Sequence, residues 1–98
     1  EKLSEESLQR YSELLKKCHV RVAQKIESAY PEKSIQHYEK AGEKSKVTEL
    51  GLKLMKKSEL SGDFNKALFY ARKAEDKTAE KIYSSAIEIL KWKILKKV

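Results

Sequence analysis

Two segments of the chain resemble each other at a spacing of about 33 residues, and this spacing constrains the fold more than any other feature. Residues 32–41 read EKSIQHYEKA, and residues 65–74 read NKALFYARKA. A period of about 34 residues is typical of repeats that are built from two helices. Such a repeat cannot bury its apolar face alone, so it stacks on a neighbour and usually presents a groove to another protein. The spacing therefore predicts packed helical hairpins.

The composition also indicates helices, in one small domain. Of the 98 residues, 40% are apolar and 38% are charged, with 3 Gly and 1 Pro. A sheet protein would need more turn residues, and a chain of this length suffices for one modest core. We therefore predict a single all-α domain over residues 1–98, a small bundle of four or five antiparallel helices.

Cysteine usage and the amino-terminal segment indicate the compartment. The one cysteine, Cys18, cannot form an internal disulfide, which predicts an intracellular, cytoplasmic protein. No apolar run approaches the roughly 18 residues of a membrane span, and the first five residues lack the apolar region of a signal peptide. The chain begins with Glu1 rather than Met, which leaves open whether it belongs to a longer protein.

Local start and stop signals define the first two helices. Ser4 precedes two glutamates and predicts an N-cap, so the first helix covers about residues 4–29. Pro31 ends that helix and can open a second one over about residues 32–41. Gly42 supplies the stop of the second helix.

The first helix carries one apolar stripe. Its apolar residues recur at steps of mostly three and four, and they are Leu8, Tyr11, Leu15, Cys18, Val22, Ile26 and Ala29. This spacing places the side chains on one face of a helix. We expect that face to pack in the core, with Cys18 as a buried residue.

Three further helices are predicted at about residues 46–61, 64–75 and 78–97. Gly62 breaks the pattern between the first two of them, and Asp63 can cap the helix that follows. In that helix, small residues would let a neighbouring helix approach closely, and they are Ala67, Ala71 and Ala74. Residues 75–78 form either a break or one polar turn in a continuous rod. We prefer a break, with Asp76 capping the last helix.

The last helix combines basic and apolar residues. Its apolar surface is wider than one stripe, which favours contact with a partner or a second copy through Ile87, Trp92 and Ile94. The chain has a net charge of +7, and the basic residues at this end are candidate phosphate contacts for a nucleic acid: Lys91, Lys93, Lys96 and Lys97. In the simpler interpretation, Trp92 closes the end of the core and the lysines are solvated.

The segment around Gly62 resembles a tetratricopeptide repeat across the turn between its two helices. In that family a Gly opens the turn, an aromatic residue follows, and two alanines seven apart mark the tightest crossing. Gly62, Phe64, Ala67 and Ala74 match these positions here. The same Gly-Asp-Phe turn is similar to the first hairpin of MIT domains, three-helix modules that hold helical tails of partners. Either resemblance, over residues 32–77, implies a protein-interaction module; an unrelated helical bundle with a common turn is the alternative.

Signatures of catalysis and cofactor binding are absent from the sequence. It has no Gly-rich phosphate loop, no paired-cysteine motif and no His-Glu-x-x-His motif, so we predict a non-enzymatic protein without a cofactor. Cys18 and His19 are adjacent on a helix, and their side chains diverge by about 100°. His19 and His37 can meet across helices, yet two histidines alone make a poor metal site. Packing on apolar faces is the role expected for most of the tyrosines: Tyr11, Tyr30, Tyr38, Tyr70 and Tyr83.

The preferred function is binding of a partner protein. A helix or extended tail is expected in a groove beside residues 46–61, where Lys53, Lys56 and Lys57 would attract acidic groups. The alternatives are nucleic-acid binding by the basic last helix and homo-oligomerisation.

Overall fold

The computed structural model describes residues 4–96, with side chains as far as Lys93. Residues 4–96 form five α-helices and no strand, which confirms the all-α class. The helices are α1 (Glu5–Ile26), α2 (Pro31–Lys40), α3 (Lys44–Leu60), α4 (Phe64–Lys73) and α5 (Lys77–Lys96). Their bounds agree with the predicted ones to within one turn of helix. None of these helices combines the length and the apolar character that crossing a bilayer requires.

The chain divides between Val47 and Thr48 into two compact units. The first contains α1, α2 and the first turn of α3, and the second contains the rest of α3 with α4 and α5. The division leaves a single domain over the whole chain as a prediction, and each unit is described here by itself.

The helix starts follow the predicted capping residues. The Ser4 side chain accepts a hydrogen bond from the backbone N–H of Ser7, and Asp63 accepts one from the N–H of Lys66. Asp76 caps α5 by accepting from the N–H of Ala79 at 3.1 Å. These bonds satisfy backbone donors that a helix start otherwise leaves unpaired. The preferred break between α4 and α5 is thereby confirmed.

Three turns share one hydrogen-bond pattern, that of a Schellman motif. Each has a residue in the left-handed region, with φ of 74° at Gly42, 79° at Gly62 and 55° at Glu75. In each, the next residue donates its N–H to a carbonyl five positions earlier, as Asp63 does to Ser58 at 2.9 Å. The number of residues from Gly42 to Glu75 is the same as the number from the start of α2 to the start of α4. It is also the interval between the two similar segments, so the sequence spacing recurs in the helices.

The core of the first unit lies between α1 and α2. Ala23 and Ser34 are fully buried where the two helices cross, and the Ser34 hydroxyl donates to the Ala23 carbonyl at 2.8 Å. Tyr38 is buried as well, and its hydroxyl donates to the Glu27 carboxylate at 3.0 Å. Lys46 forms an ion pair with the same carboxylate at 3.8 Å.

The core of the second unit depends on small residues. Ala67 and Ala71 are fully buried, and Ala74 is nearly so. A Cβ atom built on Gly51 of α3 would stand 3.3 Å from the Cβ of Ala74. This confirms the close helix approach expected at the alanines and places Gly51 as the opposing residue, which no sequence pattern selects. The larger buried residues of this core include Leu50, Leu54, Met55, Tyr70 and Tyr83.

Several residues expected in the core are exposed. Cys18 is exposed, as are Leu8, Tyr11, Leu15 and Val22 of the same stripe. The short α2 contacts a different row of the longer α1, formed by residues 19 and 23 of the helix and by its C-cap, Glu27. Tyr30 is also exposed, and Trp92 is 65% exposed, so it does not close the core. These expectations were wrong because periodicity shows which face is apolar without showing what covers it.

Candidate partner-binding surfaces

An open cleft lies beside the turn between α3 and α4 and is the main candidate site of the second unit. We call it the turn cleft; its volume is about 460 Å³. Ser61, Gly62, Asp63 and the first residues of α4 form one wall, and α5 forms the other. Its apolar lining comes from Phe64, Ile87 and Leu90, and Lys91 stands at its rim. This volume lies within the usual range for pockets that hold a ligand or an anchoring side chain.

Local chemistry fixes the turn wall of this cleft. The backbone N–H of Gly62 donates to the Glu59 carbonyl at 3.0 Å, and Gly62 adopts the left-handed conformation that the turn requires. Asp63 then caps α4 and sets the position of Phe64, the first residue of that helix. The wall is therefore held by hydrogen bonds before any partner binds.

Tyr83 supports the cleft from the core. Its ring packs against Phe64, with the ring centroids 6.2 Å apart. Burial raises the pKa of Tyr83 above its usual value of 10.0, and the nearby carboxylates of Glu59 and Asp76 raise it further. Tyr83 of α5 therefore lies close to the carboxylate of Glu59 near the end of α3, and this surrounding favours the neutral phenol.

The apolar residues of the cleft differ in exposure. Ile87 and Phe64 are half-buried, whereas Leu90 is 43% exposed. Leu90 is therefore the most exposed of the three apolar residues that line the cleft.

The three lysines proposed as partner contacts share one exposed face of α3. Lys53, Lys56 and Lys57 are spaced by three and four residues, opposite the buried residues Leu54 and Met55. Lys53 also forms an ion pair with Glu49, one turn earlier, at 3.9 Å. Leu60, 89% exposed, lies one turn beyond Lys56 and Lys57. We call these lysines the α3 basic face; their role in binding stays a prediction.

Of the residues proposed for nucleic-acid binding, the two with described side chains do not share one face. Lys91 and Lys93 are both exposed, but a two-residue step on a helix turns them about 200° apart. The Lys96 side chain and all of Lys97 lie outside the described part of the chain. Nucleic-acid binding remains a prediction, without a continuous stripe of described lysines to support it.

Of the residues proposed for oligomerisation, the two with described side chains lie on different sides of α5. Ile87 is half-buried and lines the turn cleft, whereas Trp92 is exposed. Five helical positions separate them, which places them on different sides of α5. The Ile94 side chain lies outside the described part of the chain. Trp92 and Ile87 therefore do not form one patch.

The two histidines meet across α1 and α2. His19 Nδ1 and His37 Nδ1 are 2.9 Å apart, a hydrogen-bond distance that requires at least one neutral ring. No third ligand joins them, because residues 4–96 contain no group of three or more side chains able to hold a metal ion. The pair therefore acts as a polar contact between the helices.

Comparisons with protein-family models, with curated proteins and with solved structures find no match to this chain. The tetratricopeptide-like and MIT-like resemblances accordingly stay expectations.

Proposed function

We propose that this chain is a non-enzymatic protein-interaction module and that its turn cleft receives an apolar side chain from an acidic segment of a partner. The observation that supports this most is the cleft itself, with Phe64, Ile87 and Leu90 as apolar lining and Lys91 at the rim. Apolar pockets with a polar rim are where protein interfaces bury their anchoring side chains. The partner segment is helical or extended.

The fixed turn wall favours binding. A partner does not need to order residues 61–64, because the hydrogen bonds of the Gly62 turn and the Asp63 cap already hold them. Ordering flexible segments is one of the main costs of association. A preformed cleft can therefore bind a short segment with useful affinity.

Charge determines which apolar segment is preferred. Lys91 and Asp63 both line the cleft, so their two charges offset each other, and the Asp63 carboxylate also accepts the Lys66 N–H at the start of α4. The chain carries a net charge of +7, which attracts acidic partners over distance at low salt. Acidic residues beside the anchoring side chain should therefore strengthen binding.

The loss of binding affinity expected for substitutions of Leu90 follows from the exposed fraction of this residue. Complete burial of a leucine side chain stabilises by about 2 kcal/mol, and 43% of Leu90 remains to be buried. Covering it contributes about 0.9 kcal/mol, so Leu90→Ala should weaken binding about fourfold to fivefold. Leu90→Asp should weaken it much more, because an unpaired carboxylate would be buried against an acidic partner.

Peptide display on the immobilised chain tests the proposal. We expect enriched peptides to combine a large apolar residue with Asp or Glu and to lose binding to Leu90→Asp. Phe69→Asp is the matched control, since Phe69 is an exposed apolar residue of α4 that does not line the cleft. Equal binding to the wild type and to Leu90→Asp would contradict the proposal.

Two further experiments test the other candidate surfaces. The combined substitution of Lys53, Lys56 and Lys57 by Glu tests the α3 basic face; loss of peptide binding in this variant alone would move the site there. Titration with duplex and single-stranded DNA and RNA at low and high salt tests the nucleic-acid alternative. Tight, salt-sensitive binding without enriched peptides would favour a nucleic-acid ligand.

A further inference from the structure

The apolar stripe of α1 has the spacing of a coiled-coil seam. Leu8, Tyr11, Leu15, Cys18 and Val22 follow one another at steps of three, four, three and four residues. This alternation is the 3.5-residue repeat that keeps one side of a helix facing a second helix along its length. We call these five residues the α1 seam.

The α1 seam is open along its length. Leu8, Tyr11, Leu15 and Val22 are between 40% and 58% exposed, and Cys18 is exposed. Leu14, beside the seam, is also exposed and widens the apolar surface. So long a row of exposed apolar side chains marks an interaction surface.

α2 does not occupy this seam. It contacts α1 through His19, the Ala23 carbonyl and Glu27, which follow one another at steps of four. Ala23 lies about 100° from Val22 around the helix axis. The α1–α2 contact and the seam therefore use different sides of α1, and a second helix can pack on the seam without displacing α2.

The charge distribution of α1 indicates its partner. Residues 5–15 carry three acidic side chains and one basic one, whereas residues 16–26 carry four basic side chains and no acidic one. Glu6 and Glu13 lie on the side of α1 away from the seam, so the attraction acts between the halves of the helices at long range and not through ion pairs across the seam. An antiparallel second copy of α1 brings the acidic half of one chain beside the basic half of the other. A parallel copy would place like charges together, which disfavours that arrangement.

We propose that two copies of this chain associate through the α1 seam as an antiparallel helix pair. Such a pair has twofold symmetry, so each copy contributes the same surface and the assembly closes at two chains. The antiparallel arrangement also places the positive end of each helix dipole beside the negative end of the other. This interface is separate from the turn cleft, and the inference stands whether or not the cleft binds a peptide.

Sedimentation equilibrium of the wild-type chain over a wide concentration range tests the association. We expect a monomer–dimer equilibrium that weakens at high salt and is abolished by Leu15→Glu, which places a charge in the middle of the seam. Leu15 is exposed within a single chain, so this variant should keep the circular dichroism of the dilute wild-type monomer. Phe69→Glu, which alters an exposed apolar residue of α4, is the control and should still dimerise. A wild-type monomer at every concentration, or a dimer that tolerates Leu15→Glu, would overturn the proposal.

Cross-linking tests the orientation. In a Cys18→Ser background, two single-cysteine chains are made, Ser7→Cys and Lys25→Cys, and joined by a short bismaleimide. In the antiparallel pair, position 7 of one copy lies near the end of α1 in the other. The mixture should therefore give mainly products that join position 7 of one chain to position 25 of the other. Products that join two chains at position 7 would indicate a parallel pair and overturn the antiparallel assignment.

Discussion

The substitution Gly51→Ala tests the packing in the second unit, because helix propensity and packing change the free energy of unfolding in opposite directions. Within a helix, Ala is more favourable than Gly by about 1 kcal/mol, so propensity alone predicts that Gly51→Ala stabilises the protein. The added Cβ would stand 3.3 Å from the Ala74 Cβ, 3.4 Å from the Ala74 backbone nitrogen and 3.4 Å from the Tyr70 carbonyl oxygen. Two of these three atoms belong to the backbone and cannot turn aside.

The packing term should exceed the propensity term. Inserting atoms into a well-packed contact costs about 1–3 kcal/mol, so the net effect of Gly51→Ala is destabilisation by about 1 kcal/mol. For a chain of this size, that corresponds to a decrease in Tm of roughly 4–8 °C. Thermal and urea unfolding followed by circular dichroism would measure both quantities.

A matched position calibrates the propensity term. Lys53 is exposed on the same helix, so the stability difference between Lys53→Ala and Lys53→Gly reports the Ala–Gly preference without packing. The Lys53–Glu49 ion pair is absent from both variants and cancels. Ala74→Gly should partly rescue Gly51→Ala, with a coupling energy of about 0.5 kcal/mol or more. Stabilisation by Gly51→Ala as large as the Ala–Gly difference measured at position 53 would contradict a close contact between Gly51 and Ala74.

Two other predictions concern Tyr83 and the turn at Gly62. Because the pKa of Tyr83 is raised above 10.0 in the folded state, its contribution to stability is complete below about pH 10 and is lost as the pH rises from there through the raised pKa. The Tm of the wild type should therefore fall more steeply above about pH 10 than that of Tyr83→Phe, and parallel curves would refute this. Gly62→Ala should destabilise the protein by about 1 kcal/mol, because φ is 79° at this position and only glycine adopts that conformation without cost, although a Cβ would meet no neighbouring atom. Urea unfolding measures this loss of stability, and an unchanged unfolding midpoint would contradict the prediction.

The helix boundaries were predictable because they depend on local chemistry. Ser4, Asp63 and Asp76 each accept a backbone N–H at a helix start, and Gly42 and Gly62 each adopt a left-handed conformation at a helix end. Such signals operate over a few residues, so the sequence alone displays them.

Burial was less predictable because it depends on which helix lies opposite. The α1 stripe has the periodicity of a core face, but the short α2 packs beside it on Ala23. Gly51 was missed for a related reason: a mid-helix glycine has low helix propensity, and only the neighbouring Ala74 explains it. The turn cleft likewise needs residues from α4 and α5 together, a pairing that periodicity does not specify.

The unequal lengths of α1 and α2 determine which part of α1 is stably helical in a single chain. At 1.5 Å per residue α1 is about 33 Å long and α2 about 15 Å, so the α2 contacts at His19, Ala23 and Glu27 stabilise only one end of α1. Residues 5–18 are exposed, and an isolated helix of this length is marginal in water. Their amide protons should therefore exchange quickly in a dilute monomer and slowly in the pair. Helix completion in α1 would then be coupled to assembly, and protein concentration would set how much of the chain is folded.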